Sequence, residues 1–98
     1  MNRVSILEQA SEIITKDRAQ THGEDAENSF GKIADMWTAY LEHPVSREDV
    51  CAMMILLKVA RFSNSPSHAD HTIDICGYAA IAGEIATNAE PPETQFRK

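Results

Sequence analysis

Apolar side chains recur along this chain at three- and four-residue spacing, and that period divides it into four helices. Ile6, Leu7, Ala10, Ile13 and Ile14 form one stripe between about residues 4 and 19, with Glu8, Glu12, Lys16 and Asp17 on the opposite side. Thr21-His22-Gly23 ends this helix, because glycine takes the left-handed conformation that closes helices. Phe30, Ile33, Ala34, Trp37 and Leu41 make a second stripe over about residues 24–42. Glu24 and Asp25 suit its N-terminal dipole, and Pro44 stops it. The stretch SRED, Ser46 to Asp49, resembles a capping box with an aspartate in the distal position and starts the third helix. The body that follows, VCAMMILLKVARF, is apolar nearly all round until Lys58 and Arg61, which predicts the central helix, shielded by its neighbours. SNSPSH, residues 63–68, is a turn by composition.

A fourth helix covers about residues 69–87 and places Ile73, Gly77, Ala80, Ile81 and Glu84 on one line, with Ile75, Cys76, Ala79 and Ala82 beside it. Its small residues, Gly77, Ala79, Ala80, Ala82 and Gly83, are expected to let another backbone come close. Pro91-Pro92 within a polar remainder predict a flexible, disordered tail over residues 89–98. There is no period-two strand and no internal repeat, so the expected fold is all-α, a small four-helix domain over residues 1–88.

Length and charge narrow what such a domain can bind. A chain of 98 residues buries only about 65% of the surface its unfolded form exposes, so its core is modest and a homo-oligomer is expected to complete it. Nine Lys+Arg against fifteen Asp+Glu, a net charge of −6, argue against a nucleic-acid polymer as partner, because affinity for phosphate chains rests on clustered cations. Small anions need only a few cations in one place. Cys51 and Cys76 lie in apolar helical runs without metal-ligand spacing and read as reduced core thiols. The N-terminus lacks a signal-peptide apolar region and no run reaches the ~18 apolar residues of a membrane span, so a cytoplasmic location is expected.

The charged residues that interrupt the apolar pattern are the candidates for chemistry. Asp70 and Asp74 are four apart and share a helix face, with His71 on the same turn. Asp70 sits where an acid caps a helix start. Asp74 lies a turn inside, between Ile73 and Ile75, where a carboxylate needs a cation or donors to offset its burial. Lys58 and Arg61, three apart at the end of the most apolar helix, are its complement across the short turn. Two readings follow: a salt bridge from either cation to Asp74 that locks the third helix to the fourth, or an anion clamp in which Arg61 holds a phosphate bidentately and Lys58 adds a point charge. Both hold in different states if a ligand competes with the aspartate.

A second patch lies in RAQTHGEDAENSF. Glu24 and Glu27 form an ExxE pair that would hold Mg²⁺ if matched by acids from another helix, and that otherwise suits a helix N-terminus. Arg18, His22 and Asn28 flank the helix junction and offer polar contacts to a ligand. Trp37 and Tyr40 read first as packing residues, and in an open pocket an aromatic ring such as that of Trp37 is what a nucleobase stacks on.

In sequence order, RAQTHGEDAENSF, IADMWTAYL, SREDVCAMMILLKVAR and HADHTIDICGYAAI resemble a family of small phage and prophage proteins known only as a domain of unknown function. The likeness covers about residues 18–86, and His22 stands where that pattern has tyrosine. More distantly, the fourth helix is similar to the second metal helix of the all-α nucleotide pyrophosphohydrolases, the MazG and dimeric dUTPase superfamily, with Asp74 at the final acid of an ExxD signature. That likeness implies a MazG-like helical bundle with Mg²⁺ at Asp70, Asp74, Glu24 and Glu27. His71 occupies the position of the signature's glutamate, and Lys58 and Arg61 would fall on acidic positions of the preceding helix.

The expected function is therefore a phage-type protein that binds a nucleotide or other phosphate-bearing small molecule through Lys58 and Arg61, and so sequesters it or regulates its pool in the host cytoplasm. The alternatives are an Mg²⁺-dependent nucleoside triphosphate pyrophosphohydrolase and a non-catalytic helical module that binds a partner.

Overall fold

The computed structural model describes the backbone of residues 1–20 and 26–88 and the side chains of residues 1–15 and 29–88. Within them the chain is four helices: α1 (Arg3–Gln20), α2 (Ala26–Leu41), α3 (Arg47–Asn64) and α4 (Ala69–Asn88). The expected closure of α1 at Gly23 and the expected tail at residues 89–98 lie outside the described residues.

Local chemistry sets the helix ends. Asn2 starts α1 by accepting the Ser5 backbone N–H at 2.8 Å on its side-chain oxygen. Ser46, in extended backbone at φ −92 and ψ 170, accepts the Asp49 N–H on its hydroxyl, and the Asp49 carboxylate accepts the Ser46 N–H, both at 3.0 Å. The capping box read from the sequence is complete with aspartate in place of glutamate. Helix α2 ends a residue earlier than expected, because Glu42 adopts a left-handed conformation at φ 56. The N–H groups of Glu42 and His43 both return to the Thr38 carbonyl, at 2.8 and 3.3 Å. The Thr38 hydroxyl then accepts the Val45 N–H at 2.8 Å and ties the loop back onto the helix.

Helix α4, not α3, is the centre of the bundle: α1, α2 and α3 all pack on it. Ile73, Gly77 and Ile85 are its buried residues. Gly77 lies where α1 crosses, and a Cβ there would stand 3.2 Å from the Ile14 side chain. The close approach expected along the rest of the small-residue stripe is absent at Gly83, where a Cβ would meet nothing within 4 Å, and Ala79 and Ala80 are exposed. Phe30 of α2 reaches Tyr78 of α4, with ring centroids 6.1 Å apart.

The expectation of a shielded α3 is corrected in the same way. Only Val50 and Cys51 of this helix are buried, and Met53, Leu56, Leu57, Val59 and Phe62 are exposed. An all-round apolar helix buries every face only if neighbours cover every face, and here α2 and α4 cover one side. The outer members of the other stripes, Leu7, Ile13 and Leu41, are exposed for the same reason. Tyr40, read as a packing residue, is 86% exposed. Among the described residues no helix is long and apolar enough to cross a membrane.

Candidate functional site

The α3–α4 hairpin is closed by a short turn in which Ser65 N–H bonds to the Arg61 carbonyl at 3.0 Å and His68 N–H bonds to the Ser65 carbonyl at 3.1 Å. Residues equally far from the middle of such a turn face each other across an antiparallel pair, and Lys58 and Asp74 are such residues. The Lys58 ammonium stands 3.0 Å from the Asp74 carboxylate. Their side chains are 15% and 34% exposed, so the pair is partly withdrawn from water. Of the two cations weighed for this role, Lys58 takes it. Arg61, one turn nearer the hairpin's end, is exposed and has no ion pair among the described residues.

Asp70 lies in the first turn of α4 with its side chain exposed, where the helix dipole favours an acid. His71, the next residue, is half-buried and its Nδ1 is enclosed without a hydrogen-bond partner. Its ring stacks on that of His68 with centroids 5.9 Å apart and planes 14° from parallel. The sequence reading gave His68 no role, although histidines three apart at a helix start share a face. Trp37 is half-buried on α2, and His43 is exposed with its ring against the Pro44 carbonyl at 3.1 Å.

The structure thus brings together Lys58 and Asp74, with Arg61 and His71 at the next level of the same hairpin. Arg18, His22, Glu24, Glu27 and Asn28 lie outside the residues whose side chains are described. Among the described residues no three acids, histidines or cysteines converge. Asp74, the one candidate ligand drawn inward, already has an ammonium beside it. This part of the predicted set does not by itself fit Mg²⁺, which takes several oxygen ligands in near-octahedral array, and no step is assigned to a metal. What the hairpin end offers is one cation held by an acid and one facing solvent, an arrangement suited to anions.

Fold and site together define a small all-α chain organised around a charged helical hairpin. The model of the family described as a domain of unknown function (DUF6378) matches residues 5–86, and the chain belongs to that family. It is similar to the Gene 55 protein of Mycobacterium phage L5, with 47% identity over 79 residues that cover 80% of this chain and 50% of the relative. The Gene 55 protein of Mycobacterium phage D29 is 38% identical over 94 residues, covering 96% of this chain and 60% of the relative. The chain spans about half the length of the curated relatives it matches. No solved structure matches it.

Proposed function

We propose that the protein is a phage-type helical binding module that takes a phosphate-bearing small molecule, a nucleotide foremost, at the turn end of the α3–α4 hairpin, acting in the host cytoplasm. The observation that supports it is the pairing of a held cation with a solvent-facing one: Lys58 at 3.0 Å from Asp74, and exposed Arg61 one turn on. A phosphate there would accept both N–H groups of the Arg61 fork and compete with Asp74 for the Lys58 ammonium. Asp74 would then hold the lysine in place until the ligand arrives.

The test is a thermal-shift and calorimetric titration of the whole chain with inorganic pyrophosphate and with nucleoside mono- and triphosphates. A ligand at about 100 times its Kd adds about 2.7 kcal/mol, a rise of roughly 10–20 °C in Tm for a domain this small. Arg61→Ala should abolish that rise and leave the unliganded Tm in place, since Arg61 is exposed. No shift with any of these compounds, or a shift that survives Arg61→Ala, overturns the reading. Release of pyrophosphate from a triphosphate in the same panel would instead favour the pyrophosphohydrolase, with Glu24 and Glu27 as the acids to replace.

The third reading, a non-catalytic partner-binding module whose charged residues tie its helices together, has its own support in the short Lys58–Asp74 distance. The two readings are compatible when the same pair serves the fold in the free state.

A further inference from the structure

Between Asp49 and Arg61 the only charged residue of α3 is Lys58, and it is turned inward to Asp74. The opposite side of the helix therefore carries no charge for three turns. It presents Ala52, Met53, Leu56, Leu57 and Ala60 at the three- and four-residue spacing of a continuous stripe. Met53, Leu56 and Leu57 are 41%, 65% and 40% exposed, and both alanines are exposed. This is the reverse of what water selects on a helix surface. Of α3 only Val50 and Cys51 are buried among the described residues, so much of its apolar side-chain surface faces outward.

We infer that this face pairs with the same face of a second copy of the chain, antiparallel about a two-fold axis that passes between Leu56 and Leu57. The stripe is complementary to itself in that arrangement. Met53, large, falls opposite Ala60, small, and the symmetry makes the same contact twice. By that axis Arg61 falls level with Ala52 of the other copy, about one turn from its acidic Glu48 and Asp49. A parallel pairing would set like charges and like helix ends side by side. A single helix face makes a small interface against the roughly 1,000 Å² in all that a specific one clears. The dimer is accordingly reversible and dependent on concentration.

This rests on the exposed face of α3, which shares only Arg61 with the proposed phosphate site, so a variant that keeps Arg61 tests it separately. Sedimentation velocity of the whole chain over a concentration series should show conversion from one chain to two. Leu56→Glu, which buries two unpaired charges in the dimer and none in the monomer, should weaken association at least about 100-fold with an unchanged helical circular dichroism spectrum. In a Cys76→Ser background, a mixture of Met53→Cys and Ala60→Cys chains should cross-link between copies, and Met53→Cys alone should not. A monomer at every concentration, an association that survives Leu56→Glu, or efficient cross-linking of Met53→Cys to itself each overturns the inference; the first would reserve the face for a different chain.

Discussion

Replacing Lys58 by Met and Asp74 by Asn, singly and together, measures how much of the α3–α4 junction rests on one ion pair. At the observed 3.0 Å, two unit charges attract by about 5.5 kcal/mol at an effective dielectric of ~20 and by about 1.4 kcal/mol in bulk water. Exposures of 15% and 34% set the pair between these limits. Desolvation and the ordering of a long lysine side chain take back most of the attraction, which leaves a coupling energy of about 1–2 kcal/mol. Lys58→Met keeps the aliphatic stem and strands a half-buried carboxylate, so it should cost about 2 kcal/mol. Asp74→Asn leaves an amide oxygen for the ammonium and should cost about 1 kcal/mol. The double variant should then lose less than the sum. The assay is urea denaturation of all four proteins by far-UV circular dichroism at one chain concentration, because association makes stability depend on concentration. Additivity within about 0.3 kcal/mol would refute the reasoning, since independent sites behave that way.

The buried Cys51 thiol is pushed above its ordinary 9.0, first by burial and then by the nearby Glu48 charge, with Arg47 opposing. The folded chain keeps this proton where the unfolded chain has lost it, so stability should fall as pH rises past the unfolded thiol's range, by up to about 1.4 kcal/mol per pH unit. Cys51→Ala should remove that component from denaturation curves taken above neutral pH, and an unchanged alkaline slope would contradict it. Glu42 holds φ 56 at the end of α2, a conformation that costs a residue with a Cβ roughly 1 kcal/mol. Glu42→Gly should therefore raise stability by about 0.5–1 kcal/mol and Tm by roughly 3–6 °C, and a lower Tm would show that the glutamate side chain matters there.

What the sequence made legible was local. The capping box at Ser46 and Asp49 was readable because both partners sit within one turn, and the helix limits followed from apolar period and turn residues. A contact from Lys58 or Arg61 to Asp74 was readable for a related reason: a turn this short forces an antiparallel return that brings the end of α3 beside the start of α4. Choosing Lys58 over Arg61 was not possible from spacing alone, since both lie within a turn of the right level. The His68–His71 stack does not show in ligand spacing, because helix geometry alone brings the two rings together. Leu7, Ile13 and Leu41 were placed in stripes that are real as patterns and only partly covered, because a stripe's width says nothing about how many neighbours will cover it.

The orientation of α3 is the deepest of these ambiguities, and it connects the site to the surface. Val50, Cys51 and Ile55 on one side and Met53, Leu56 and Ala60 on the other give hydrophobic burial almost no preference between the two faces. Lys58 breaks the tie. Turned outward it would be solvated, but half-buried Asp74, between Ile73 and Ile75 on α4, would then have no cation beside it, at a cost of about 2 kcal/mol. Turned inward it satisfies Asp74 and leaves the outer face of α3 with no charge at all. A single polar contact thus fixes the rotation of the most apolar helix and, by the same rotation, uncovers the stripe assigned here to a second copy. If that contact sets the rotation, Lys58→Met should loosen the dimer and the hairpin together, whereas Arg61→Ala, which leaves Lys58 and Asp74 paired, should at most remove a charge contact between copies and leave the hairpin's stability in place.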